Sequence, residues 1–135
     1  MTELAEVKVR PSLDATGKLL LLTIAGYLDL RGTAITTLPD NLNVGGGLDL
    51  SGTAITALPE NLSVGGSLIL EGTAIETLPD NLRVGGSLYL RGTAITALPD
   101  NLSVGGDLDL EGTAIKKIPQ GVQVGGQIYG LQKTA

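Results

Sequence analysis

The chemistry open to this chain begins with its carboxylates. Asp107, Asp109 and Glu111 alternate along one predicted strand, and Glu71 and Arg91 fall on the same predicted face one or two repeats away. Alternation places these carboxylates together, as in a calcium site or the acid pair of a glycosidase. The chain has no Asp-Gly sequence of the kind found in calcium-binding loops. We therefore interpret the acidic corner as solvated surface charge.

The residue types missing from the chain exclude most other chemistry. It contains no Cys and no His, which excludes a thiolate nucleophile, an imidazole base, a Ser-His-Asp relay, a disulfide and the usual zinc sites. Aromatic residues make up 2% of the chain and the net charge is −5, so nucleic-acid binding is disfavoured. We expect no enzymatic activity, no cofactor and no metal; a hydrolase using Asp and Lys is a remote alternative.

The elements that position these residues come from an internal repeat. The repeat LDLSGTAITALPENLSVGGS, which begins at Leu48, is one of five consecutive 20-residue copies that occupy residues 28–127. Residues 1–27 break the period and are predicted to form an N-terminal cap, either a β-hairpin or an extra coil. A truncated sixth repeat occupies 128–135. Drift in the fifth copy and the irregular cap favour a natural sequence over a designed consensus array.

The pattern within each repeat predicts a β-rich solenoid with little or no helix. Six positions per copy are always aliphatic, the L-x-L alternation is typical of a strand, and no segment has a sustained helical period. In the second copy these positions are Leu48, Leu50, Ile55, Leu58, Leu62 and Val64. One copy buries too little apolar surface to offset the entropy of ordering it, so the copies must stack as coils, with the L-x-L strands forming one parallel sheet.

The pattern L-x-L-x-G-T-x-I-x-x-L-P resembles the 20-residue bacterial type of leucine-rich repeat, and similar arrays occur in phage and prophage proteins. The resemblance implies a right-handed stack of coils with a parallel sheet on its concave side, used for protein binding, notably in secreted bacterial effectors. Thr stands where that family usually has Asn, and Gly stands where it has a Leu before L-x-L, with a Val one place earlier. A straighter β-solenoid is the alternative fold.

Two invariant features have competing interpretations. The Gly-Gly pairs could form anion-binding nests, but a tight corner, or a positive φ at every coil, explains five copies on an acidic protein better. The five threonines could form a lattice-binding array, but a buried structural role is favoured because they replace an internal Asn. These structural threonines are Thr33, Thr53, Thr73, Thr93 and Thr113.

The variable positions around L-x-L are the candidate partner-binding surface. In-register stacking makes the residues before, within and after L-x-L one continuous face, with an apolar centre at Ile69 and Tyr89 rimmed by charge. It is an equally good interpretation that these positions vary freely because the surface binds nothing. The candidate residues are Tyr27, Asp29, Arg31, Asp49, Ile69, Glu71, Tyr89, Arg91, Asp107, Asp109, Glu111 and Tyr129.

The ends of the array bear on assembly and location. The C-terminal edge is either shielded by Gln127, Gln132 and Lys133 or pairs with another chain, in a homo-oligomer or an end-to-end contact. The apolar run at 19–25 is too short to span a bilayer and is poorly placed for a signal peptide. We expect a soluble protein, cytoplasmic or virion-associated, without membrane partners.

We therefore expect a non-catalytic leucine-rich-repeat protein that acts as a binding or scaffold module. Its strand face would contact a protein partner or a larger assembly. The alternative is a structural component, a decoration or a spacer, of a phage virion or another bacterial assembly, in which the ends of the solenoid matter more than its face.

Overall fold

The protein is a parallel β-solenoid, seen in a computed structural model that describes residues 8–9 and 23–131. The described residues contain no helix. Their strands are β1 (Lys8–Val9), β2 (Thr23–Ile24), β3 (Tyr27–Asp29), β4 (Asn43–Val44), β5 (Leu48–Asp49), β6 (Ser63–Val64), β7 (Leu68–Ile69), β8 (Arg83–Val84), β9 (Leu88–Tyr89), β10 (Ser103–Val104), β11 (Leu108–Asp109), β12 (Gln123–Val124) and β13 (Ile128–Tyr129). The predicted solenoid without helix is confirmed over these residues.

The strands form two parallel sheets. The odd-numbered strands, of which β3, β5, β7, β9 and β11 hold the L-x-L segments, form a seven-stranded sheet in chain order, and the even-numbered strands form a six-stranded sheet. Equivalent residues of successive repeats pair, as in Leu48 with Leu68, so the sequence period sets the register. The sequence predicts only the first sheet. The second consists of strands such as Ser63–Val64, in which one valine stands directly before Gly-Gly and no L-x-L alternation marks a strand.

The core is a column of aliphatic side chains between the two sheets and the connecting turns. The six invariant apolar positions of the second repeat are all buried, and their counterparts in the neighbouring repeats stack above and below them. No buried aromatic side chain occurs among the described residues. The narrow coil therefore accounts for the absence of Phe and Trp from the chain.

Each coil bends at Gly-Thr. Gly52 has a φ of +71°, a left-handed conformation that glycine adopts without strain, and the equivalent glycines of the other four repeats have the same conformation. Thr53, the next residue, is buried, and its hydroxyl donates to the Leu50 carbonyl at 2.8 Å. The other four threonines donate to the equivalent leucine. The hydroxyls are thus bonded inside their own coil and offer no lattice-binding array.

The Gly-Gly corners have a different cause. None of these paired glycines has a positive φ. Instead, successive corners lie so close that a Cβ on Gly66 would sit 2.9 Å from the carbonyl carbon of Gly46, and one on Gly65 would overlap the carbonyl oxygen of Gly45. The Gly66 N–H donates to the Gly46 carbonyl at 2.8 Å. Of the two predicted reasons for the pair, the tight corner is correct and the positive φ is wrong.

A third turn follows the proline of each repeat. Asn41, Asn61 and Asn81 adopt positive φ values of 66°, 62° and 65°, which asparagine tolerates better than most residues. The Asn61 amide also donates to the Asn41 side-chain oxygen at 3.0 Å across one coil step. Asparagine therefore serves a turn and a contact between coils at one position.

The two ends of the solenoid differ. At the N-terminal end β1 pairs in parallel with β3, Lys8 with Tyr27 and Val9 with Leu28. Residues 1–7 and 10–22 of the predicted cap lie outside the described residues, whereas 23–27 already belong to the two sheets through β2 and β3. At the C-terminal end Ile128 and Tyr129 are 38% and 47% exposed. Of the predicted polar shield, Gln127 is exposed, and Gln132 and Lys133 lie outside the described residues.

The two kinds of glycine predict different responses to substitution. Gly66→Ala should destabilise the fold by about 1–3 kcal/mol, because its methyl group pushes two coils apart. Gly52 has open space around its Cβ position, so only its φ resists substitution. Gly52→Ala should cost about 1–2 kcal/mol, and Gly52→Asn less, because asparagine tolerates positive φ. Urea unfolding of the three variants measures these differences; a neutral Gly66→Ala would contradict the steric explanation.

Candidate functional site

The strand face is the outer surface of the seven-stranded sheet, with the residues between the paired leucines along its centre. The central residues follow one another in strict register along the solenoid. In chain order they are Asp29, Asp49, Ile69, Tyr89, Asp109 and Tyr129. The structure therefore brings the predicted central column together as one continuous row.

The three aspartates of this row are buried although their side chains lie on the outer side of the sheet. Asp29, Asp49 and Asp109 are only 3%, 6% and 8% exposed. In each, Oδ1 accepts the backbone N–H of the residue two places later, at 3.1, 3.0 and 3.0 Å, so the carboxylate folds down over the bend. The expectation of solvated charge is wrong for Asp109, because this backbone donor draws its carboxylate out of solvent.

At the N-terminal end the aspartates join a bonded cluster with Tyr27 and Arg31. The Arg31 guanidinium donates to both oxygens of Asp29 at 3.0 Å, and its Nε lies 3.4 Å from Asp49 Oδ2. The Tyr27 hydroxyl donates to the same Asp49 oxygen at 3.2 Å. The bond to Asp29 and the negative charges of both aspartates raise the pKa of Arg31. Four of the candidate residues thus form one N-terminal cluster.

A second cluster lies towards the C-terminal end of the same sheet, at β9 and β11. Arg91 Nη2 donates to Asp109 Oδ2 at 3.1 Å, and the Arg91 side chain stays 58% exposed. This bond is the main cause of the raised pKa of Arg91, and Glu111 and Glu71 contribute smaller electrostatic effects. The C-terminal cluster therefore consists of a bonded Arg91–Asp109 pair with two further carboxylates in its field.

Between the clusters the row becomes apolar. Ile69 and Tyr89 are direct partners on adjacent strands, and both are half-buried. They replace the aspartate of the other repeats, so this step of the sheet has no carboxylate at its centre. The centre of the strand face is consequently an aliphatic and an aromatic side chain, held between two charged clusters on rigid strands.

Sequence reasoning missed a hydrogen-bond ladder beside this row. In three successive repeats, the residue after the Gly-Gly pair uses its side-chain oxygen to accept the backbone N–H of its counterpart in the next coil. Asp107 N–H donates to Ser87 Oγ at 2.9 Å, and Gln127 N–H donates to Asp107 Oδ1 at 2.9 Å. The same bond joins Ser87 to Ser67 at 3.1 Å. The signal was the recurrence of a short oxygen-bearing side chain at this place.

The residues of the two clusters lie apart along the solenoid. Tyr27 lies on β3 and Arg31 in the turn that follows it, whereas Asp109 of the C-terminal cluster lies on β11. Asp107, Asp109 and Glu111 do come together, with Tyr89, Arg91 and Tyr129, around a surface cavity of about 280 Å³. No group of three or more metal-ligating side chains occurs within the described part of the chain.

Comparison with known proteins adds no relative. No protein-family model matches the sequence, and no curated protein or solved structure matches it. Within the described residues there is also no helix of the length and apolarity that a membrane crossing requires. The role of the strand face must therefore be inferred from its own geometry.

The Tyr27–Asp49 contact predicts a dependence of stability on alkaline pH. Burial first, and then the neighbouring Asp49 charge and the bond to it, raise the pKa of Tyr27 above its ordinary 10.0. The folded state thus favours the protonated phenol. Its contribution to stability is complete below pH 10 and is lost as the pH rises through the raised value. Tyr27→Phe should remove this component.

Urea unfolding of the parent chain and of Tyr27→Phe at pH 9 and pH 11 tests this prediction. The parent chain should lose more stability than the variant over that interval, since all other titrating groups are shared. Equal losses in the two proteins would contradict the assignment.

Proposed function

We propose that this chain is a non-catalytic binding or scaffold module of the leucine-rich-repeat type, whose strand face binds a protein partner. The observation that carries the proposal is the Ile69–Tyr89 pair, an apolar step at the middle of a row otherwise occupied mainly by carboxylates. Aromatic and aliphatic side chains surrounded by a polar rim are the composition of interaction hot spots.

The rigidity of the face supports the same proposal. Every central residue lies on a hydrogen-bonded strand, and Asp29, Asp49 and Asp109 are fixed by backbone donors. A surface whose side chains are already ordered loses little conformational entropy when a partner binds. The interior is filled by aliphatic side chains, so the groups that could contact a partner lie on the surface.

A double substitution on the face tests the proposal. Ile69→Asp with Tyr89→Ala should abolish capture of the partner from the native host, because it removes the apolar centre. Asp already occupies the equivalent position at Asp49 and Asp109, so the variant is expected to fold. The matched control is Thr36→Asp with Thr56→Ala, two exposed residues on adjacent coils away from the face.

The result is read from the difference between the two double variants. Loss of the captured partner in the face variant but not in the control supports the proposal. Retention of the partner by the face variant, with its circular dichroism unchanged, would rule the strand face out as the contact surface.

A second candidate is a structural component of a phage virion or other bacterial assembly, joined through its ends. The observation that favours it is the exposure of Ile128 and Tyr129 on the last described strand, together with the incomplete burial of Ile118, Val122 and Val124 in the last full repeat. Ile128→Asp should then disrupt the assembly while the face variant leaves it intact. Mass spectrometry of purified particles, together with light scattering of both variants, separates the two candidates.

A further inference from the structure

Two tyrosines flank one aspartate on the C-terminal half of the strand face. Tyr89 on β9 and Tyr129 on β13 are each the direct register partner of Asp109 on β11, which lies between them. Adjacent strands are about 4.8 Å apart, so the two tyrosine backbones are separated by roughly 9.6 Å. Side chains stand nearly perpendicular to a sheet, which makes the tyrosines two walls and the aspartate a floor. We call this arrangement the tyrosine slot.

The depth of the slot follows from burial. Asp109 is 8% exposed because its carboxylate is drawn down to the Glu111 N–H, whereas Tyr89 is half-buried and Tyr129 is 47% exposed. The space between them forms the cavity of about 280 Å³ described above. A group held midway between two walls roughly 9.6 Å apart lies within about 6 Å of both rings, the range over which an aromatic face attracts a cation.

The charge around the slot selects for a cation. Asp107, Asp109 and Glu111 line it together with a single guanidinium, that of Arg91, which leaves a formal excess of two negative charges. Arg91 already donates to Asp109 at 3.1 Å from one side. The Asp109 carboxylate can therefore accept hydrogen bonds from a basic side chain. Arg91 already occupies one of its oxygens and would compete with that side chain.

We propose that the tyrosine slot binds a lysine or arginine side chain of the partner protein, between Tyr89 and Tyr129 and above Asp109. This inference rests on the proposed function of the strand face and specifies the chemistry of its partner. No other carboxylate in the described central row has a tyrosine on both sides. Next to Asp49 the only tyrosine is Tyr27, whose hydroxyl is bonded to that carboxylate.

The slot can be tested without a partner. The probes are Nα-acetyl-arginine amide and Nα-acetyl-lysine amide, titrated into the ¹⁵N-labelled full chain and followed by NMR, with neutral Nα-acetyl-glutamine amide as the control ligand. The cationic probes should shift the amide signals of Tyr89, Asp109 and Tyr129 with a saturable dependence on concentration, and the glutamine probe should not.

Three variants make the test specific. Tyr129→Leu should weaken probe binding about two- to fivefold, the effect of one cation–aromatic contact at an exposed site. Thr56→Ala, at an exposed residue away from the strand face, should leave it unchanged. Arg91→Gln should strengthen binding, because it removes the competing guanidinium and one positive charge. A purely structural role of Arg91 would not produce that gain.

The proposal is overturned if the cationic probes cause no saturable shifts, if the glutamine probe shifts the same signals equally, or if Arg91→Gln weakens binding while its fold is intact. These outcomes are separate from failure of the proposed function. Probe binding without any captured partner would contradict the partner-binding role alone, and a captured partner that depends on Ile69 but not on Tyr129 would contradict the slot alone.

Discussion

The whole structure depends on how closely one Gly-Gly corner can approach the next. Gly66 and Gly46 are in contact through their backbones, and a single methyl group at Gly66 would occupy the same space as the neighbouring coil. Only at this separation can the coils exchange backbone hydrogen bonds in both sheets. The aliphatic core, the register of the strand face and the ladder through Ser87 all follow from that approach.

The same spacing determines how side chains are arranged on the strand face. Each repeat contributes one central residue, and equivalent residues always become neighbours, so charge or apolarity at one position becomes a row along the solenoid. The framework hydrogen bond of Thr53 stays within its own coil and does not involve the central side chain. The central position can therefore change from Asp to Ile or Tyr, as at Ile69 and Tyr89, while the Gly-Thr bend and the Gly-Gly contact stay the same.

The period allowed the solenoid, its core positions and the alignment of the central row to be predicted from the sequence. The burial of Asp109 could not be predicted, because a carboxylate on an outer strand position is ordinarily solvated and its backbone donor becomes visible only when the bend is built. Composition also could not distinguish the glycine that needs positive φ, Gly52, from the glycine that needs space, Gly66. The second sheet was not predicted because Val64 has a glycine two places after it, so Ser63–Val64 shows none of the alternation that marks Leu48 and Leu50.

The confinement of framework contacts to fixed places in a repeat of constant length has an evolutionary consequence. A 20-residue segment that is duplicated or deleted between equivalent points leaves every Gly-Gly contact and every Gly-Thr bend satisfied. Recombination between near-identical copies can therefore lengthen, shorten or reorder the row of central residues in a single genetic event. The solenoid could acquire a new pattern of charged and apolar residues on its face without an intermediate sequence that fails to fold.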